Sequence, residues 1–299
     1  MANVITTKLQ DGTILLPTQI TDEMFNAVKG HSSLAKLSPE KPIPFNGTTE
    51  MIFTLDKEAD IVGECDPKSN GGATVTPKII RPIKFEYGVR VSDEFIYGTD
   101  EYRLEVMRHF ATGAAKKFAR GLDIAAMHGV NPRTGTPSAV VGNNNFDAQV
   151  SNTVTYDAAN ADANVNAALA LVGATEAAAN GIALSPAMRG AIAALQGTNG
   201  AKYPEFNWGA TPATLGAMQL DTNSTVSFGD VDQALVGDFS AFKWGYAKNI
   251  PLEVIQYGNP DNDAEAGDLK GHNQVYLRAE AYIGWGILAP EYFARVTNE

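Results

Sequence analysis

The sequence predicts an α+β fold. Three observations carry this: strand-like runs at 51–55 and 79–91, one long amphipathic helix between Thr99 and His128, and further strand-like runs from Val231 onward. Helices and strands thus come in blocks along the chain. With 299 residues, 44% of them hydrophobic and 19% charged, the chain has the apolar content to build one large or two modest cores.

Residues 1–46 alternate short apolar pieces with polar interruptions and carry three prolines within 39–44, Pro39, Pro42 and Pro44. One short helix fits within Leu15–Lys29, with Thr21 as N-cap, Met24, Phe25 and Val28 at helical spacing, and Gly30 as the stop. The rest reads as an extended arm. Such an arm buries little of itself and needs a surface to lie on.

Residues 47–92 read as a long β-hairpin. Met51–Leu55 and Ile79–Val91 are the strands, and Asp56–Pro77 is a polar tip containing Asn70-Gly71-Gly72. Asn-Gly predicts a type I′ turn, which needs positive φ at both central positions. A two-stranded ribbon is marginal alone in water, so a projecting one must rest on something.

From Thr99 to His128, Leu104, Met107, Ala111, Ala114, Phe118, Leu122 and Ala125 form one apolar stripe. Acidic residues near the start and Lys116, Lys117 and Arg120 later match the helix dipole, and Gly129 suits the C′ position. The helix would be about 40 Å long.

The middle of the chain is mixed. Pro132–Asn152 reads as loop with short strands, Asp157–Ala179 as an alanine-rich helix, and Ile182–Leu184 as a strand. Ser185-Pro186 pairs an N-cap with proline at the first helical position, opening a helix to about Gln196. Gly197–Thr214 is a loop carrying Tyr203, Phe206 and Trp208. Val231–Phe239 and Ala241–Ile255 read as strands around Gly237-Asp238-Phe239, Asn259–Gly267 as an acidic loop, and Gln274–Ala281 with Ile283–Val296 as a closing strand pair.

Several function classes are disfavoured. The net charge of -11 opposes a free-standing nucleic-acid-binding module, whose affinity comes from clustered Lys and Arg. The single cysteine, Cys65, allows no intrachain disulfide and no cysteine metal cage, which fits synthesis in a reducing cytoplasm. No secretory signal opens the sequence, and no apolar run approaches the roughly 20 residues that span a bilayer. No phosphate-binding, nucleophile-elbow or zinc-protease motif occurs, and His31, His109, His128 and His272 lie far apart. His109 reads as structural, and Cys65 as a bystander thiol. Asp261, Asp263, Glu265 and Asp268 form an acidic loop with Ala266 where a calcium-binding EF-hand needs glycine, so a solvated loop is the better reading. The aromatics at 203–208 and 242–246 are read as core and interface packing.

Five segments, in order, resemble a known family. They are Arg90-Val91-Ser92-Asp93-Glu94-Phe95, Ala115-Lys116-Lys117-Phe118-Ala119-Arg120-Gly121-Leu122-Asp123, Leu184-Ser185-Pro186-Ala187-Met188, Val236-Gly237-Asp238-Phe239-Ser240-Ala241-Phe242, and Tyr276-Leu277-Arg278-Ala279-Glu280 followed by Pro290-Glu291-Tyr292-Phe293. Each is weak alone; their order and spacing resemble the tailed-bacteriophage major capsid proteins of the Hong Kong 97 fold, across roughly residues 20–299. The resemblance implies an N-terminal arm at 1–46, an E-loop hairpin at 47–92, a peripheral P-domain at 93–130 and 268–299 built on the spine helix, and an axial A-domain at 131–267.

It further implies self-assembly into pentamers and hexamers of an icosahedral shell that confines double-stranded DNA, with no cofactor and no membrane partner. A portal, a decoration protein and a separate scaffolding protein would be partners, the last because the chain enters the arm almost at Met1. Some members weld their shells with Lys–Asn isopeptide bonds beside a Glu. The spacing of Asn273 and Glu280 matches that pattern, with Lys57 and Lys68 in the hairpin as the amines, although a plain strand and loop explain the pair more simply. An encapsulin-like nanocompartment shell and an α/β enzyme with an unfamiliar site are the alternatives.

Overall fold

A computed structural model describes the chain from His31 to Asn298, apart from residues 176, 199 and 249–251. The short helix expected within Leu15–Lys29 lies outside the described residues.

The long helix, α2 (Asp100–His128), is as the sequence predicts. Thr99 accepts a hydrogen bond from the Tyr102 amide, Asp100 and Glu101 occupy the first turn, and Gly129 ends the helix at φ 67°. At 29 residues it spans about 43 Å. Met107, Ala111, Ala114, Phe118, Leu122 and Ala125 are buried, whereas Leu104, near the open end, is only half-buried.

This stripe packs on an antiparallel sheet whose centre is β11 (Gln274–Ile287). β3 (Ile83–Ser92) runs along one edge of β11. β9 (Phe242–Lys248) and β10 (Leu252–Ile255) lie end to end along the other. The expected closing pair is therefore one continuous strand of 14 residues. Its apolar run Tyr282-Ile283-Gly284-Trp285-Gly286-Ile287 carries the extended backbone straight through the expected turn. The chain turns only at Pro290–Tyr292, and β12 (Phe293–Thr297) then joins a second sheet.

That second sheet is mixed and six-stranded. Its order is β4 (Thr153–Thr155), β12, β8 (Asp232–Gly237), β5 (Gly181–Leu184), β7 (Met218–Thr222), β6 (Thr214–Leu215). The one-turn helix α3 (Phe146–Gln149) packs on α2, while α4 (Ala161–Gly173) and α5 (Pro186–Ala194) join the second sheet in a separate apolar cluster, and Ser185 caps α5 through the Met188 amide. β6 and β7 have no counterpart in the sequence reading, because only Leu220 in them is fully buried and their apolar alternation is faint. Pairing also crosses the segment boundaries that the resemblance implies: Phe242–Lys248 and Leu252–Ile255 belong to the β11 sheet, and Phe293–Thr297 to the six-stranded one.

Residues 32–43 are not a loose arm. α1 (Ser33–Leu37) buries Leu34 and Leu37, and the chain then crosses β9. Lys41 and Ile43 donate their amides to the Trp244 and Tyr246 carbonyls. Gly245 makes room for this crossing: a Cβ there would sit 1.7 Å from the Lys41 carbonyl oxygen.

The hairpin also departs from expectation. β1 (Thr48–Leu55) pairs with β2 (Ala73–Ile80), so Ala73–Pro77 is strand rather than tip. The run at 79–91 is broken at Arg81-Pro82, where the chain leaves the hairpin to become β3. Asn70 and Gly71 do not have positive φ, so no type I′ turn closes the ribbon; Asp56–Gly72 forms a wide irregular tip.

Candidate functional site

The hairpin presents an apolar surface to water. Register puts Met51 opposite Pro77, Phe53 opposite Val75, Leu55 opposite Ala73 and Thr49 opposite Ile79. Opposed residues share a face of the ribbon. Met51, Phe53, Leu55 and Ile79 are 61%, 70%, 75% and 56% exposed, and Ile61 in the tip is 99% exposed. The other face anchors only the base. Glu50 pairs with Lys243 at 2.7 Å, Lys78 donates to Gln149 Oε1 at 3.0 Å, and Ile80 is buried. Contiguous exposed apolar area of this kind marks an interaction surface.

The four residues of the cross-link reading are not gathered within one chain. Lys57 lies in the tip and donates to the Asn70 carbonyl at 3.0 Å, and Lys68 is exposed there too. Asn273 and Glu280 sit seven positions apart at and along β11, about 20 Å of extended strand. Asn273 holds a left-handed backbone (φ 52°), which asparagine tolerates, and its carbonyl accepts from the Asp93 amide at 2.9 Å. Glu280 is buried and lies 2.6 Å from Lys84 Nζ and 3.3 Å from Arg278 Nε.

The acidic loop is organised by one arginine. Arg90 from β3 grips both Asp261 oxygens, the Asn259 side chain and the Ala266 and Gly267 carbonyls. This hydrogen-bonded ion pair pulls the Asp261 carboxyl down to about 2. Asp263 accepts from the Glu265 and Ala266 amides, and Asp268 from those of Gly258 and Gly271. Cys65 is exposed in the tip, and His109 is exposed on α2. Phe206, Phe242, Trp244 and Tyr246 are core residues, whereas Trp208 is fully exposed.

The sequence reading missed a buried polar chain at the junction of the two sheets. Asp123 on α2 is wholly buried and accepts from Ser32 Oγ, the Ser33 and Leu34 amides and Thr225 Oγ1. Burial pushes its carboxyl up to about 6 against the pull of those hydrogen bonds. The Thr225 carbonyl lies 3.0 Å from His128 Nε2, and His128 Nδ1 is 2.9 Å from Asp147. Arg295 of β12 joins Asp147 at 2.7 Å to Asp232 of β8 at 3.1 Å. Burial works against the His128 charge, but the Asp147 hydrogen bond and carboxylate outweigh it and raise the imidazole above its ordinary value. Burial, then the neighbouring Asp147 charge, raises Asp232. His128, Asp147 and Asp232 lie close enough to hold a cation, yet the Arg295 guanidinium already donates to both carboxylates. The partners come from positions 19 and about 100 residues apart, so no local spacing reveals them.

Among the described residues, a folded body that projects an exposed apolar ribbon suits a protein that works by contact with others. The profile of the Phage capsid family matches residues 12–298, and the chain belongs to that family. A solved chain from Mycobacterium phage Ogopogo superposes with a TM-score of 0.76 and 30% identity, covering 89% of this chain and 92% of the other. One from Gordonia phage Cozz gives 0.73 and 26%, covering 89% and 86%. A chain from the capsid of a native GTA particle shares the fold at TM-score 0.63 and 15% identity, covering 89% of each. No curated protein matches. The chain is a phage major capsid shell protein, from a family that is structural rather than catalytic.

Proposed function

We propose that copies of this chain join as pentamers and hexamers and tile the icosahedral head of a tailed phage, enclosing its double-stranded DNA. The observation that carries the reading is the apolar face of β1 and β2, open to water on a subunit whose β8, β11 and β12 are packed. That face is buried when the hairpin lies across a neighbouring copy. Weak contacts suffice, because closure makes many of them at once. The unit around the six-stranded sheet would be axial and the unit around α2 and β11 peripheral. The subunit would be made in the bacterial host's cytoplasm, work with separate scaffolding, portal and decoration proteins, and confine DNA without gripping it, in keeping with the net charge of -11. It would catalyse nothing.

The shell would hold without covalent welding, because Lys84 and Arg278 already engage Glu280, the base that a Lys57 or Lys68 to Asn273 bond requires. Negative-stain microscopy of the purified protein should show closed shells or capsomers. A compact monomer at every concentration would overturn the assignment. Assembled shells boiled in detergent should run as monomer; a ladder of covalent oligomers would contradict the non-covalent reading.

A further inference from the structure

An asparagine side chain is open to attack by the backbone nitrogen of the next residue, most of all when that residue is glycine, which has no Cβ to shield the nitrogen or narrow its backbone freedom. The chain has four Asn-Gly pairs, at Asn46, Asn70, Asn180 and Asn199. The last falls outside the described residues. Two of the others are guarded. The Gly47 amide donates to the Pro44 carbonyl at 2.8 Å, and Gly47 is held at φ 86°. The Asn180 side chain donates to Asp238 and accepts from the Phe239 amide, and Gly181 is buried at the start of β5.

Asn70-Gly71 has neither guard. Both residues are exposed in the hairpin tip, outside any helix or strand. Among the described residues, no hydrogen bond holds the Asn70 side chain or the Gly71 amide. The single contact falls on the peptide that would react: Lys57 Nζ donates to the Asn70 carbonyl oxygen at 3.0 Å. That oxygen and the Gly71 nitrogen belong to one amide. A positive charge on the oxygen stabilises the anion formed when the nitrogen gives up its proton.

We infer that Asn70-Gly71 is a site of self-modification, with Lys57 as its positioning and activating residue. The Gly71 nitrogen attacks Cγ of Asn70. The N–Cγ bond forms, the Cγ–Nδ2 bond breaks, and ammonia leaves with the amide proton, giving a cyclic imide. Water then opens one of the two imide carbonyls; it is the only co-reactant, and nothing is oxidised or reduced. Opening at Cγ gives aspartate. Opening at the main-chain carbonyl, the one that Lys57 polarises, gives isoaspartate, with the new carboxylate beside Lys57. Asp56, Glu58, Asp60, Glu64 and Asp66 against Lys57 and Lys68 give the tip -3, and either product makes it -4. Isoaspartate also lengthens the backbone next to Gly72, whose amide Asp56 accepts. The tip of an aged subunit therefore differs in charge and path from that of a new one. The inference stands apart from the shell-forming reading, because the chemistry lies within one chain.

The test is a timed incubation of the purified full chain at mildly alkaline pH, read by peptide mass spectrometry and by labelling with an isoaspartyl methyltransferase. Asn70 should convert ahead of Asn46 and Asn180, with isoaspartate the larger product. G71A should keep the fold, since nothing lies within 4 Å of the added Cβ and φ at Gly71 is not positive, and should slow conversion about tenfold or more. K57Q should slow conversion about two- to fivefold, the scale of an exposed charge contact, and lower the isoaspartate share, whereas K57R should keep both near wild type. Asn70 reacting no faster than Asn46 or Asn180 would overturn the site. So would an Asn70 that stays intact while a free peptide of residues 66–74 reacts. K57Q and K57R both matching the wild type would remove Lys57 from the chemistry.

Discussion

Strands β1 and β11 are both rich in residues that favour extended structure, yet they meet opposite fates. In β11, Trp285, Ile283 and Ile287 are fully buried in the core cluster they share with α2. In β1, Met51, Phe53 and Leu55 face water. Apolar content alone therefore does not tell whether a strand's partner lies in its own chain. What distinguishes them is neighbourhood: β11 has a strand on each side along most of its length, while β1 has only β2. The difference separates residues that hold the subunit together from residues to which the proposed function gives the contacts between subunits.

The largest break in that comparison is removal of the tip. Deleting Lys57–Gly71 leaves Asp56-Gly72 between the strands, a pair suited to a two-residue hairpin turn. The shortened subunit should fold, with an unchanged circular dichroism spectrum, and form no stable shells. Normal particles would remove the hairpin's role. Next come paired truncations. Trp285→Ala should destabilise the subunit by about 3–5 kcal/mol, since it empties a packed site and orphans the Asn144 carbonyl that the indole meets at 2.8 Å. Phe53→Ala should stay within about 0.5 kcal/mol in the same denaturant titration while reducing assembly. Equal losses would erase the distinction between the two strands.

The smallest effect concerns pH at the junction between the sheets. Asp147 raises His128 above the ordinary imidazole value of about 6.5, so its stabilising charge is fully present below about pH 6.5 and is lost as pH climbs through the raised value. Thermal melts of wild type and His128→Gln should therefore differ most near pH 6 and converge in the alkaline range. A gap that does not vary with pH would show that His128 acts by packing alone.

Much of the fold was legible in the sequence where one local rule dominates. Thr99 and Gly129 bound α2, Ser185-Pro186 opens α5, and Asp238 caps the turn after β8, all through contacts within a few residues. Legibility failed where distant pairing decides. The path of β11 through Tyr282 depends on β3 and β9, and β7 is specified by its parallel pairing with β5 rather than by its own pattern. The hairpin was legible as an element but not in extent, because strand pairing draws in Thr74 and Thr76 where polar composition suggests loop. The buried chain from Asp123 to Arg295 draws on five separate stretches of sequence and left no local trace.

The position of β11 in the chain also sets a clock. Ser92 of β3 pairs with Gln274, and Ile83 with Ile283. A ribosome that has finished β3 must add roughly 180 more residues before that partner exists, about 10–40 s at ordinary elongation rates. The hairpin can pair with itself within moments of emerging, but the strand that fixes its base follows only about 180 residues later. By the order of synthesis alone, the ribbon is formed well before it is aimed.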